Sequence, residues 1–251
     1  MSKIFAIVRH LPNTITCCNL FCGCLSVVAT FGGSPAIAAY CILMAAVFDF
    51  FDGFTARWLK AHSPIGKELD SLADMVSFGV APASLMFVLL RGSLAKAGFP
   101  VEMFDTGWFL SLPAYLLAVF SALRLAKFNI DRRQTDLFIG VPTPAMSLFV
   151  CSIAFTASQN GAWAEAAGNI YVLSAIIAVF SYLMICELPL FSMKFKSFGW
   201  KNNRLRFIFL GVSAVFLIVF RWTGLAPVIL LYIVLSAGMA YNSKRQAECT
   251  K

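Results

Sequence analysis

Four aspartates in the first third of the chain have the spacing of a metal site. Asp49 and Asp52 are three residues apart and Asp70 and Asp74 are four apart, so each pair shares one face of a helix. Five of the 12 acidic residues fall between positions 49 and 74. Carboxylates that converge repel each other unless a cation neutralises them. Hard oxygen ligands of this kind favour Mg²⁺ or Mn²⁺.

The residues beside the aspartates favour a phosphate-bearing ligand. Gly53 has no side chain and Ala56 a small one, so a ligand can approach the helix backbone. Arg57 offers a planar fork of N–H donors that matches phosphate. Ser63 adds a hydroxyl in the loop between the two helices. Solvated charges at helix ends are the alternative explanation, which suits a single aspartate better than the whole set.

The elements that hold these residues have the composition of a membrane protein. Of the 251 residues, 60% are hydrophobic and 13% are charged, whereas a soluble domain has about 25% charged residues. A membrane-spanning helix needs about 20 apolar residues, and we predict an all-α polytopic membrane protein with about eight such helices. The predicted segments are 14–32, 35–59, 68–90, 107–128, 142–159, 168–187, 206–221 and 224–241.

The distribution of Lys and Arg predicts the orientation in the membrane. If the N-terminus is cytoplasmic and the helix count is even, 17 of the 20 Lys and Arg lie on the cytoplasmic side, as the positive-inside rule requires. Both termini are then cytoplasmic, and the aspartates lie at the cytoplasmic face of the cell membrane. The same rule explains the net charge of +8, so we expect no nucleic-acid partner.

We interpret residues 1–251 as a single membrane domain. Residues 1–11 could form a short interfacial helix, and residues 242–251 a cytoplasmic tail. Four of the eight cysteines lie in the apolar segment CCNLFCGC. Small buried thiols explain them better than a metal site or a disulfide framework does.

The fixed positions around the aspartates resemble the complete signature of the CDP-alcohol phosphatidyltransferases. These positions are Asp49, Asp52, Gly53, Ala56, Arg57, Gly66, Asp70 and Asp74. The resemblance implies a reaction in which an alcohol displaces CMP from a CDP-linked lipid at two metal ions. It assigns Asp49, Asp52 and Asp70 to the metals, and Asp74 to the roles of general base and further ligand.

The resemblance also implies contacts to CDP-diacylglycerol and a homodimer. The residues at the matching positions are Gly53, Ala56, Arg57, Ser63, Asn13 and Thr16. The last two belong to the segment PNTIT, which enters the first predicted membrane helix and resembles a further nucleotide-binding element.

Segments outside the cluster favour L-serine as the acceptor alcohol. DSLADMVSFGVAPA, ALRLAKFN, GVPTPA and PNTITCCNLFCG resemble the phosphatidylserine synthase branch. Met75 follows the last aspartate, where phosphatidylglycerophosphate synthases usually have Lys. The carboxylate of serine needs a cation, and Asn129, Ser77 and Thr143 could add hydrogen bonds, although lone polar residues at helix ends usually cap the helix or bond internally. The candidate acceptor-binding residues are Arg124, Lys127, Asn129 and Ser77. Ordinary positive-inside anchoring is the other explanation for the two cations.

Two alternative functions stay open at this point. The same chemistry could use glycerol phosphate or an inositol phosphate, whose dianionic phosphate should need a denser basic pocket. A divalent-cation transporter would place its carboxylates near the bilayer midplane. Here they are expected near one interface, beside Arg57 and Lys60, which would repel cations.

Overall fold

The computed structural model describes residues 2–59, 63–130, 138–190 and 200–249, and within these ranges the chain is almost entirely helical. A π-helical turn (Met75–Val80) joins the third helix to the fourth, and 3-10 turns (Leu112–Tyr115 and Arg221–Gly224) join two later pairs. The helices are α1 (Ser2–Phe31), α2 (Pro35–Trp58), α3 (Pro64–Asp74), α4 (Ala81–Lys96), α5 (Thr106–Ser111), α6 (Leu116–Ile130), α7 (Thr143–Ala157), α8 (Ala162–Ala167), α9 (Ile170–Ile185), α10 (Trp200–Phe220) and α11 (Leu225–Cys249).

Within the described ranges, five helical stretches are long and apolar enough to cross a membrane. They are His10–Phe31, Pro35–Trp58, Pro64–Lys96, Thr106–Ile130 and Asn203–Ala240. Helices α7 and α9 are apolar but shorter. The predicted all-α membrane class agrees with this architecture, whereas the number of crossings and the position of the termini stay predictions.

The last of these stretches folds back on itself. The ring centroids of Phe209 in α10 and Tyr232 in α11 are 5.8 Å apart, whereas one continuous helix would separate them by about 35 Å. The chain reverses at the 3-10 turn, where Arg221 has a φ of 51° and Gly224 lies against the backbone of Phe216. Each segment predicted to cross the membrane therefore contains a helix of its own.

The two ends of the chain differ from the predicted boundaries. Residues 2–11 run into the rest of α1 without a break, through Pro12, and their position at the membrane interface stays a prediction. Helix α11 continues to Cys249 and so includes most of the predicted tail 242–251. The last two residues of that tail lie outside the described residues.

Helices α1 and α2 form a closely packed hairpin. The connection turns at Gly33, whose φ of +78° is readily adopted by glycine, and Pro35 then begins α2. Ser26 donates a hydrogen bond to the carbonyl of Ala38 across the pair, at 2.9 Å. Small residues and polar bonds of this kind let apolar helices approach each other in lipid.

Helix α4 occupies the centre of the bundle. Its residues Leu85 and Met86 are fully buried, and the helix packs against α2, α7 and α9. This central position explains why the helix is hydrophobic around most of its circumference. The π-helical turn places α3, which carries two of the four aspartates, directly beneath this core.

A short strand pair fixes the chain before α7. Strand β1 (Phe138–Ile139) is antiparallel to β2 (Pro189–Leu190), and Val141 donates to the carbonyl of Leu183 at 2.9 Å. Gly140, between β1 and α7, has a φ of +74°, and a Cβ there would lie 2.6 Å from the carbonyl oxygen of Met184. The start of α7 is thereby held against the end of α9.

Candidate metal and substrate site

Three of the four predicted carboxylates converge between α2 and α3. Oxygen atoms of Asp49, Asp70 and Asp74 all lie within 4.8 Å of one another, and the side chains are partly buried. The two helices are consecutive in the chain, and both pack against α1. The i, i+4 spacing of Asp70 and Asp74 presents both carboxylates on the face of α3 that meets Asp49.

The donor set of this cluster fits a hard divalent cation. At an effective dielectric constant of about 20, two unit charges 4.8 Å apart repel by roughly 3 to 4 kcal/mol. Three carboxylates in partial burial therefore favour the binding of positive charge. Oxygen ligands without sulfur or imidazole are typical of Mg²⁺ and Mn²⁺ sites rather than of zinc or copper sites.

Asp52 lies next to this group but is bound differently. It is only 5% exposed, and its Oδ2 accepts a hydrogen bond of 2.6 Å from the hydroxyl of Thr16 on α1. The Thr16 hydroxyl also lies 3.0 Å from the carbonyl of Pro12, one turn earlier. Asp52 is thus held toward α1, on the opposite side of the cluster from Asp74.

Asn19 is a neighbour of the cluster that the sequence analysis did not single out. Its side chain is fully buried, and its Nδ2 donates to Oδ1 of Asp74 at 3.3 Å. Thr16 and Asn19 are three residues apart on one face of α1, so this helix supplies a donor to the carboxylate at each end of the cluster. The i, i+3 spacing of Asn19 from Thr16 was the signal available in the sequence.

The π-helical turn brings α1 close enough for this contact. A Cβ added to Gly23 would lie 2.5 Å from the hydroxyl oxygen and 2.8 Å from the Cα of Ser77. Ser77 is fully buried and donates to the carbonyl of Asn19 at 3.0 Å. Single turns of π-helix occur frequently at functional sites, and this one begins directly after Asp74.

A cavity of about 610 Å³ opens on one side of the carboxylates. All six residues predicted to contact the CDP-linked lipid line it, together with Asp52 and Asp70: they are Gly53, Ala56, Arg57, Ser63, Asn13 and Thr16. Ser63 caps α3 by accepting from the amide of Gly66 at 3.0 Å. A Cβ at Gly66 would lie 2.9 Å from the side-chain oxygens of both Asn13 and Ser63, so this wall of the cavity needs glycine.

A second cavity, of about 270 Å³, lies on the other side of the cluster. Its lining includes Asp70 and Asp74 and two of the predicted acceptor-binding residues, Arg124 and Asn129. Arg124 is only 6% exposed. Asp70 lines both cavities, whereas Asp52 lines only the larger and Asp74 only the smaller.

The other two predicted acceptor-binding residues lie elsewhere. Lys127 is exposed and does not line the smaller cavity. Ser77 is buried against α1 through its bond to Asn19. The structure therefore brings Arg124 and Asn129 to the carboxylates but not Lys127 or Ser77.

Hydrogen bonds join α3 to the end of α6. Asn129 donates from Nδ2 to the hydroxyl of Ser71 at 2.9 Å, and Ser71 donates to the carbonyl of Lys67 at 3.2 Å. The ammonium of Lys67 lies 3.5 Å from the carbonyl of Asn129. Since Ser71 lies between the two aspartates of α3 in sequence, these bonds fix the helix that carries them.

The fold and the site together define a class: a helical membrane protein with a carboxylate cluster, suited to a divalent cation, between two cavities. The model of the CDP-alcohol phosphatidyltransferase family matches residues 9–219. The chain belongs to that family.

Several curated relatives have the same name, CDP-diacylglycerol–serine O-phosphatidyltransferase. A Mycobacterium bovis relative is 30% identical over 243 residues, which cover 93% of this chain and 77% of that protein. A Bacillus subtilis relative is 34% identical over 149 residues, 59% of this chain and 77% of the relative. A Saccharomyces cerevisiae relative is 35% identical over 169 residues, 60% of this chain and 56% of the relative. The chain thus spans just over half of the yeast protein and about three quarters of the two bacterial ones.

Proposed function

We propose that this protein transfers the phosphatidyl group of CDP-diacylglycerol to the hydroxyl of L-serine, giving phosphatidylserine and CMP. The observation that carries the proposal is the position of the carboxylates between two cavities, with Asp70 in the wall of both. A transfer between two substrates needs such an arrangement, because the reacting groups must meet at one point. The names of the relatives support serine as the acceptor.

The larger cavity binds the CDP-linked lipid in this proposal. A Cβ at Gly53 would meet only the guanidinium of Arg57, at 3.9 Å or more, so packing within the protein does not require glycine there. Glycine inside a helix costs about 1 kcal/mol relative to alanine. A ligand that approaches the backbone at Gly53 explains why the position has no side chain, and Arg57 beside it supplies charge for the diphosphate.

The proposed metal ligands are Asp49, Asp52, Asp70 and Asp74, with Mg²⁺ or Mn²⁺ as the cation. When bound, two such ions neutralise the diphosphate and the departing CMP. The side chains contribute geometry of their own. Thr16 orients Asp52 beside the larger cavity, and Asn19, one turn further along the same helix, orients Asp74.

Asp74 is the proposed general base. It lines the smaller cavity but not the larger one, so an acceptor bound there has its hydroxyl beside this carboxylate. Asp74 takes the proton of the serine hydroxyl. The serine oxygen forms the new bond to phosphorus, and the bond to the CMP oxygen breaks with its electron pair.

The smaller cavity is the proposed acceptor site. Its volume of about 270 Å³ accommodates a small acceptor such as serine. Arg124 supplies one buried positive charge there and Asn129 a polar neighbour. In this proposal Ser77 contributes to the packing of α1, and Lys127 contributes positive charge outside the cavity.

The arrangement in the membrane is also a proposal. We infer a single domain with eight membrane crossings, in which α10 and α11 cross separately, and with both termini in the cytoplasm. The active site then faces the cytoplasm at the cell membrane. A homodimer is proposed from the family resemblance.

An acceptor screen tests the function directly. Purified protein with CDP-diacylglycerol and Mn²⁺ or Mg²⁺ should convert radiolabelled serine to a lipid product and release CMP, while glycerol phosphate and inositol phosphate should compete poorly. Asp74→Asn should abolish turnover and retain nucleotide binding. A product with a different alcohol would replace serine in the proposal, and the absence of any lipid product would refute it.

A further inference from the structure

We propose that the first turn of α7, together with Thr143 and Arg124, binds the carboxylate of the serine acceptor. The inference rests on the proposed function and assigns one part of the acceptor to one part of the smaller cavity. Pro142, Thr143 and Pro144 form the cavity wall opposite α3, and Arg124 lies beside them.

Two buried polar groups in this wall lack a protein partner. The hydroxyl of Thr143 and the Nε of Arg124 have no hydrogen-bond partner among the residues that the structure describes. Thr143 is fully buried, and Arg124 is only 6% exposed. An unmade hydrogen bond of a buried group costs about 1 to 3 kcal/mol, and more for a charged one. A ligand that forms hydrogen bonds with both groups explains why such a pair lies in one cavity wall.

The start of α7 is a favourable place for negative charge. Pro142 occupies the N-cap position and cannot cap the helix with a side chain, and the first turn contains no acidic residue. The first amides of a helix have no intrahelical partner, which here leaves those of Thr143 and Ala145, because Pro144 has no N–H. The helix dipole adds positive potential there. The protein thus leaves the positive end of a 15-residue helix uncompensated at a cavity wall.

Arg124 is anchored in a way that keeps part of its fork available. One terminal nitrogen, Nη2, donates to the carbonyl of Gly140 at 3.5 Å. Gly140 is itself fixed, because its amide donates to the carbonyl of Leu188 at 2.9 Å. A guanidinium has five N–H donors, so this anchor leaves Nε and others for a carboxylate.

The arrangement gives the acceptor one orientation. Asp70 and Asp74 line the same cavity, and their negative charge repels a carboxylate. A serine molecule bound with its carboxylate at α7 therefore turns its other end toward the aspartates. That end includes the hydroxyl that must react.

The test measures the KM for serine and the preference for serine over serinol. In serinol a CH₂OH group replaces the carboxylate. Thr143→Val has nearly the same shape but loses the hydroxyl. We expect it to raise the KM for serine by about tenfold or more and to lower the preference for serine over serinol by a similar factor. Thr143→Ser keeps a hydroxyl and should restore most of that preference.

Thr156→Val is the matched control, since Thr156 is on the same helix but donates to the carbonyl of Ser152 at 2.8 Å. It should leave the serine KM unchanged. If Thr143→Val does not fold, as judged by size-exclusion chromatography, Arg124→Lys decides the question. This change keeps the charge but loses the planar fork, and it should also reduce the preference for serine.

The inference is overturned if Thr143→Val, or Arg124→Lys in its place, keeps the wild-type preference for serine over serinol. That result would leave the proposed function intact, because the wild-type protein would still use serine. A wild-type protein that uses no acceptor at all would instead refute the proposed function, and this inference with it.

Discussion

Removal of one charge from the carboxylate cluster should make the protein more stable than the wild type without metal and less stable than the wild type with metal. The substitution is Asp70→Asn, which keeps the size of the side chain. Asp70 has two carboxylate neighbours with oxygens within 4.8 Å, each of which repels it by roughly 3 to 4 kcal/mol at an effective dielectric constant of about 20. Water and proton uptake already relieve part of that repulsion, so the expected gain without metal is about 1 to 3 kcal/mol.

Bound metal should reverse the order of stability, so that the wild type becomes more stable than Asp70→Asn. A cation at one hundred times its Kd stabilises the folded protein by about 2.7 kcal/mol. Asp70→Asn loses a charged ligand and should gain much less. For a chain of this size each kcal/mol corresponds to about 2 to 4 °C in Tm, so both differences amount to several degrees.

The assay is thermal unfolding of the purified protein in detergent, followed by tryptophan fluorescence, in EDTA and in Mn²⁺ or Mg²⁺. Glu68→Gln is the control, because Glu68 is an exposed acid on the same helix α3. It removes the same charge outside the cluster and should stay within about 0.5 kcal/mol of the wild type in both buffers. A lower Tm of Asp70→Asn in EDTA, with an equal response of both proteins to metal, would refute the reasoning.

Three further substitutions test the surroundings of the cluster. Asn19→Leu removes the amide that donates to Asp74, and initial rates should show a kcat about tenfold lower. Thr16→Val removes the hydroxyl that holds the carboxylate on the nucleotide side, and we expect the KM for CDP-diacylglycerol to rise by about tenfold or more. Gly140→Ala forces a side chain into a left-handed backbone 2.6 Å from a carbonyl oxygen and should lower the Tm by at least several degrees. Gly92→Ala, in a helix with nothing within 4 Å of the new Cβ, should not lower it.

The sequence predicted the carboxylate pairs correctly as helix faces because that inference needs only helical periodicity. Asp49 and Asp52 share a face in any helix, and the hydropathy of the segments identifies the helices themselves. The position of Asp52 relative to the other three could not be predicted in this way. It depends on how α1 packs across α2, and a donor such as Thr16 is recognised only when the two helices are seen together.

The predictions for the acceptor site show a second kind of limit. Arg124 and Lys127 are one turn apart on α6, and only the packing of α3 and α7 decides that the first lines the cavity and the second is exposed. Ser77 lies in the π-helical turn, where i→i+5 hydrogen bonds shift the register of the side chains. No residue type indicates such a turn, so the sequence could not show that Ser77 bonds to α1 rather than to an acceptor.

In the proposed mechanism Asp74 is a base within a cluster of metal ligands, and the contacts of α1 bear on how its carboxylate is oriented. A carboxylate has two oxygens, and a base must keep one of them free of other partners when the acceptor arrives. Asn19 donates to Oδ1 of Asp74, and its own backbone carbonyl is fixed by Ser77, so the orientation of the carboxylate is set from α1. The same helix holds Asp52 through Thr16 on the other side, and because both donors are on one rigid helix face, the two ends of the cluster are separated by the spacing of α1 itself.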